Sequence, residues 1–166
     1  NAKVLTFKRA TADKYNHLIH EELGNVEPFA KGQLVTFNDP YLNKQEEILV
    51  GNNEVTRITN VDEKVVEGVD SYHLTVLSRK GHVRVAVPKK KSQVKALMKE
   101  YKKDNDWQQF YLLKRTFADV SHTYATTTHK SQGSTYDHVY IDLTDLGTCF
   151  KWDMFSRRMY VGISRA

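Results

Sequence analysis

Residues 32–87 hold no stretch with helical periodicity; short runs of strand-forming residues follow one another, each closed by a turn signal. QLVTF precedes NDP, EEILV precedes GNN, and EVTRITNV precedes DEK. DSYHLTVLSRKG and HVRVAV then predict a hairpin around Arg79, Lys80 and Gly81. Asn and Gly suit the tight turn of GNNEV because both tolerate positive φ. Four or five strands in this span predict a small barrel of SH3 or OB type.

The flanks read differently. Residues 3–7 (KVLTF) are a strand, and Thr11 stands where a helix N-cap would. Tyr15, Leu18, Ile19 and Leu23 follow at helical spacing, and Gly24 suits a C-terminal cap. After Pro88, Ser92 is placed as a cap for a helix with Val94, Leu97, Met98 and Tyr101 on one stripe. Trp107, Phe110, Tyr111 and Phe117 form a second stripe beyond the break at residues 104–106, and both stripes read as core. TYATTTH and HVYIDL read as strands around a polar loop, residues 153–158 as one or two helical turns, and MYVGI as a last strand. The order is α/β, all-β, α/β, so a barrel is expected to interrupt a sheet-plus-helix domain. The expected division is 1–28, 29–88 and 89–166.

The length of 166 residues fits one domain or a small domain carrying a second. No apolar run reaches the roughly 20 residues that cross a bilayer, and no signal peptide is visible. The single cysteine, Cys149, excludes an internal disulfide and a cysteine-based zinc cluster, and suits a reducing compartment. The formal net charge is +5, with Lys89, Lys90, Lys91, Lys95, Lys99, Lys102 and Lys103 close together. That cluster reads either as a solvated helix face or as a phosphate-contacting patch.

The densest chemistry lies in ATTTHKSQGSTYD, residues 125–137. Its threonines, serines, histidine, lysine and glutamine all donate hydrogen bonds of the kind phosphate oxygens accept. Gly133 lets a backbone approach a ligand closely. Strand, polar glycine loop, strand places such a loop at the edge where open α/β sheets bind ligands. A hydrophilic turn is the competing reading. No G-x-x-x-x-G-K-[ST] loop occurs anywhere in the chain, and no Asp-Glu pair follows an apolar strand.

THKSQGSTYD resembles motif V of superfamily-1 helicases, and MYVGISRA resembles motif VI. KVLTFKRATADKYNHLIHEELG resembles motif IV, with Asn16 matching its helical asparagine. The similarity is closest to the Dda/RecD-like branch, which translocates 5′ to 3′, and to the UvrD-like helicase C-terminal family. The resemblance implies an α/β RecA-like parallel-sheet domain of the P-loop NTPase type, interrupted by a small SH3-like β-barrel. It implies that Arg165 is the arginine finger that reaches the γ-phosphate, and that Gly133, Gln132 and Ser134 form the loop coupling nucleotide to DNA. Asp137 stands near the nucleotide sugar where many relatives carry Glu. Thr127, Thr128 and His129 match single-strand contacts, and Lys130 with Lys89, Lys90 and Lys91 are candidate phosphate contacts. Arg9 reads as a surface arginine rather than a finger.

The implied parent is a phage-encoded DNA helicase using ATP and Mg2+, held mainly by an N-terminal RecA-like domain outside this chain. The isolated piece is expected to hold neither and to be inactive, and residues 1–2 read as a cloning remnant. The implied partners are single-stranded DNA, that N-terminal domain, and single-strand-binding or replication proteins. The implied setting is the cytoplasm of a bacterial or phage-infected cell. Two alternatives stand beside this one. One is a non-enzymatic nucleic-acid-binding module built on the barrel. The other is a different nucleic-acid-dependent ATPase, against which the missing Q-x-x-G-R-x-x-R pattern counts.

Overall fold

The computed structural model describes residues 2–43 and 45–165. The elements in chain order are β1 (Ala2–Thr6), α1 (Arg9–Glu22), β2 (Leu34–Phe37), β3 (Tyr41–Leu42), β4 (Ile48–Val50) and β5 (Val55–Val66). Then come β6 (Val69–Ser78), β7 (Gly81–Pro88), α2 (Lys91–Lys103), α3 (Trp107–Thr116) and β8 (Val120–His122). The last are β9 (Ala125–Thr127), β10 (His138–Ile141), α4 (Leu143–Leu146) and α5 (Trp152–Ile163). They form two compact units: Asn1–Val26 with Ser121–Ala166, and Glu27–Val120.

The first unit is α/β. Its sheet runs β10-β1-β9, with β1 parallel to both neighbours. Parallel strands need long crossovers, and here residues more than 100 apart in sequence pair directly, Val4 with Ala125 for example. Asn16 fastens α1 to this sheet. Its buried amide donates to the Ala125 carbonyl (3.0 Å) and accepts from the Ala125 N–H (2.8 Å), replacing a missing neighbouring strand. α1 ends as expected at Gly24, whose φ of +76° admits bonds from Gly24 N to Glu21 O and from Asn25 N to His20 O. That pair of bonds is the Schellman arrangement.

The second unit is built on a five-stranded sheet in the order β7-β6-β5-β2-β8, with β3 and β4 as a separate antiparallel pair. Val35, Phe37, Ile58, Leu74, Val76, Val83, Val85 and Val87 project into one core, at the period of two that strands impose. The β6–β7 hairpin turns at Arg79 and Lys80, as the sequence implies. The β5–β6 hairpin does not turn at DEK; β5 runs straight through it to Val66. The chain reverses instead at Glu67 and Gly68, both with positive φ (48° and 72°), the geometry of a type I′ turn. The strands form no closed barrel. One parallel bridge, Ala86 with Phe117, brings the chain before β8 to β7.

Further expectations are corrected. Thr11 is not a cap: α1 begins at Arg9, and its N-cap Lys8 makes no side-chain capping bond. Ser92 likewise lies inside α2, whose N-cap is Lys90. MYVGI is not a strand but the last turns of α5. Phe155, Arg158, Met159, Val161 and Gly162 are its less exposed positions, and 155, 158, 159 and 162 recur at helical spacing. Trp107 and Tyr111 are not core, being 46% and 50% exposed. The boundary expected after residue 88 falls after Val120. Residues 89–120 stay with the second unit because Ala118 and Val120 pack into its core, and Lys91 pairs with Asp119 at 2.9 Å.

Replacing Asn16 with Ala leaves the Ala125 N–H and C=O buried without partners. The expected loss is about 2–3 kcal/mol in chemical denaturation, against less than about 0.5 kcal/mol for the exposed His17→Ala.

Candidate functional site

Because β1 is parallel to β9 and β10, the three strands end at one edge of their sheet, at Thr6, Thr127 and Ile141. Open α/β sheets bind ligands at this edge. Two of the segments leaving it, those after β1 and β10, are tied together by one carboxylate. Asp145, 8% exposed in α4, accepts from the Phe7 N–H (2.6 Å), the Lys8 N–H (2.8 Å) and the Thr11 hydroxyl (2.8 Å). Phe7 and Lys8 lead into α1 and Thr11 lies in its first turn, so a residue more than 130 positions away anchors the helix start. The negative charge also lies at the positive end of the α1 dipole. Asp142 accepts from the Asp145 N–H (2.9 Å) and from the Tyr15 hydroxyl (3.1 Å). That bond to a carboxylate raises the Tyr15 phenol above its usual range.

Beyond β9 the backbone coils tightly. The Thr128 N–H continues the ladder to the Thr6 carbonyl (2.9 Å). Ser131, fully buried, donates its hydroxyl to the Thr128 carbonyl (2.8 Å) and its N–H to the Thr127 carbonyl (3.0 Å). The Lys130 N–H donates to Thr127 Oγ1 (3.4 Å), and Gly133 carries a φ of +83° where the chain turns back. The loop closes on the end of α5, where the Tyr136 N–H donates to the Arg165 carbonyl (2.8 Å).

α5 lies close against the sheet. A Cβ at Gly162 would stand 2.8 Å from Ile141 Cδ1 and 3.7 Å from Leu5 Cδ1, so this glycine sets the approach. One turn earlier the Arg158 guanidinium lies 4.4 Å from the centre of the Phe7 ring. A cleft of about 170 Å³ opens between helix and loop, lined by Thr128, His129, Gln132, Met154, Arg157, Arg158 and Val161. Pockets for whole small molecules run to about 300–1,000 Å³, so this one suits a phosphate rather than a nucleoside. Its polar lining consists of groups that can all donate: two guanidiniums, an imidazole, a hydroxyl and an amide. Thr128 Oγ1, buried, has no hydrogen-bond partner among the described residues.

Residues 122–166 match the UvrD-like helicase C-terminal domain family. This segment is similar to that family, and the match covers about a quarter of the chain. An uncharacterized protein of Acanthamoeba polyphaga mimivirus is 26% identical over 99 residues, covering 57% of this chain and 20% of its own length. A crystal structure of Pif1 helicase from Bacteroides, a double mutant, aligns at a TM-score of 0.37 with 14% identity, over 99% of this chain and 38% of its own. Unliganded Pif1 from Bacteroides sp. aligns at 0.33 with 14% identity, over 98% and 54%. The chain thus spans one fifth of its viral relative and little more than half, or less, of the Pif1 chains.

Within the matched segment the structure brings Thr128, His129 and Gln132 into the cleft. Thr127 stands at the strand end, and Lys130 is half-buried beside it. Gly133 and Asp137 lie exposed further along, with Ser134 half-buried between them. Arg165 is not among the cleft residues; its side chain is half-buried, and its Nε has no hydrogen-bond partner among the described residues. Lys89, Lys90 and Lys91 belong to the other compact unit. There Lys89 pairs with Glu63 at 2.6 Å, Lys91 pairs with Asp119, and Lys90 lies exposed as the N-cap of α2.

Asp145, Phe7, Arg157 and Arg158 were not legible as site residues. The two arginines stand a helical turn and more before Gly162, and only reading MYVGI as helix would have aimed them at the loop. Among the described residues no group of His, Cys, Asp and Glu could hold a metal, and no helix is long and apolar enough to cross a membrane.

Close to β9, His122 stacks on His20 at 4.1 Å. Burial, helped by the imidazoles of His20 and His17, lowers the His122 pKa to about 4. An unfolded histidine takes up its proton near pH 6.5, so the stability this residue confers is complete above that pH and lost as pH falls toward 4. In His122→Phe, which keeps the stack, the fall in stability between pH 6.5 and 4 is expected to be shallower. Denaturation curves at several pH values measure it; identical slopes would contradict the assignment.

Proposed function

We propose that this chain is the second motor domain of an ATP-dependent DNA helicase of the Dda/RecD-like branch, with Glu27–Val120 as an SH3-like insertion. The observation that carries the reading is the cleft between the residue 128–137 loop and α5, inside the segment that matches the helicase family. Thr128, His129 and Gln132 of one motif-like sequence and Val161 of the other line it.

In this reading ATP sits between this domain and another that supplies the phosphate loop. The fit is partial in an informative way. The cleft offers cationic and hydroxyl donors suited to phosphate oxygens, and no carboxylate lines it, so Mg2+ would take its ligands from the other domain. Arg165 serves as the arginine finger, a permanently charged fork that stabilises charge on the transferring phosphoryl group. Its Nε, already out of water without a partner, gains one when the phosphate arrives. Gln132, Gly133 and Ser134 carry the change in nucleotide state to Thr127, Thr128, His129 and Lys130 at the DNA, with Asp137 beside the nucleotide sugar. Asn16 and Asp145 position this wall without touching either ligand. Opening and closing of the cleft between the domains would move the enzyme 5′ to 3′ along single-stranded DNA.

In the intact parent protein, Arg165→Ala is expected to lower DNA-stimulated ATP hydrolysis by roughly three to five powers of ten, the worth of an arginine finger, while nucleotide binding by equilibrium dialysis changes little. Turnover within a few-fold of the unaltered enzyme would overturn the assignment.

A further inference from the structure

The chain's positive charge is not spread over it. Residues 89–115 hold nine Lys or Arg and three Asp or Glu; of the chain's 25 and 20, that leaves 16 and 17 for everything else. The whole net charge of +5 therefore resides on α2, α3 and the turns beside them. This helical pair belongs to the Glu27–Val120 unit, apart in sequence from the helicase segment.

α3 presents two opposite faces. Leu113 is buried and Phe110 half-buried on one. Trp107, Tyr111 and Leu112 stand 46%, 50% and 40% exposed on the other. Trp107 and Tyr111 are four residues apart, so they share that face within about 6 Å along the axis. With Gln108 and Arg115 they line a depression of about 420 Å³. The rings are held rather than loose: Phe110 packs edge-on against both, at 5.8 Å from Trp107 and 5.4 Å from Tyr111.

We infer that the exposed face of α3 is a base-stacking platform for single-stranded nucleic acid, with Trp107 and Tyr111 as stacking surfaces and the surrounding lysines as phosphate contacts. The charge selects the occupant. Lysine is depleted at the cores of protein–protein interfaces, whereas Lys102, Lys103 and Lys114 flank these rings, against Asp104, Asp106 and Glu100. Part of the charge is already used. Arg115 pairs with Glu46 at 2.6 Å, Lys89 with Glu63 and Lys91 with Asp119. The remaining lysines of α2 and α3, exposed at 95, 99, 102, 103 and 114, make no ion pair among the described residues. Flat rings beside unpaired ammonium groups match unstacked bases on a phosphate backbone, and a duplex would present no free base face. Gln108 adds an amide for a base edge. The platform does not depend on the helicase reading.

The chain has two tryptophans, Trp107 and Trp152, so Trp152→Phe leaves one indole on the platform. Titrating that variant with oligothymidylate is expected to quench Trp107 saturably, with affinity falling steeply as salt rises. Trp107→Ala and Tyr111→Ala, each exposed enough to spare the fold, are expected to weaken binding by about 5- to 150-fold apiece. The readout is anisotropy of a labelled oligonucleotide, with circular dichroism melts confirming folding. Unquenched Trp107, or binding unchanged in the double variant, overturns the proposal. So does self-association in sedimentation that Trp107→Ala abolishes while oligonucleotide binding persists, since a second copy would then cover this face. Failure of the Arg165 experiment with the platform intact would count against the motor reading alone.

Discussion

One buried carboxylate joins the two ends of the chain. Asp145 collects the N–H groups of Phe7 and Lys8, just before α1, and the Thr11 hydroxyl from its first turn. Without it those part-buried donors would lose the acceptor that holds the entry to α1. Asn16 acts in the same way on β9. Between them, two polar side chains hold β1 and α1 against strands that arrive only after the whole of Glu27–Val120 has been made. The segments that leave the sheet edge are thereby fixed in place, and the cleft is assembled from them.

The cleft depends on how closely α5 approaches. Gly162 permits contact with Ile141 and Leu5, and Arg158 caps the Phe7 ring, whose backbone is the one Asp145 holds. A carboxylate, a ring and a guanidinium thus stand in series from α4 to α5. A change in the position of α5 would be felt at the start of α1.

Much of this was legible in residue order. The interruption of α/β texture by short strands pointed to an insert at 29–88, and Gly24, the GNN turn and the RKG turn were read at their places. The donor-rich loop pointed to Thr128, His129 and Gln132, which do line one cleft. The failures have physical causes. DEK resembles a turn, but the pairing of β5 with β6 carries it as solvent-facing strand, while Glu67 and Gly68 take the reversal. MYVGI is rich in strand formers, yet packing at a spacing of 3.6 residues makes it helix. Thr11 looks like a cap because its hydroxyl does meet a helix start, but it donates to Asp145 instead of accepting from the backbone. Asp145 itself could not be found by local pattern, because its partners lie at the other end of the chain. The aromatic stripe on α3 read as core, and only its exposure marks it as a surface.

The interaction on which this account rests can be observed directly by amide hydrogen exchange at Phe7 and Lys8. These N–H groups lie just outside β1, and among the described residues their acceptor is the Asp145 carboxylate. Exchange at both amides is expected to be as slow as that of the β1 amides, and to become faster by orders of magnitude in Asp145→Ala while the β1 amides stay comparatively protected. Fast exchange at both positions in the unaltered protein would contradict it.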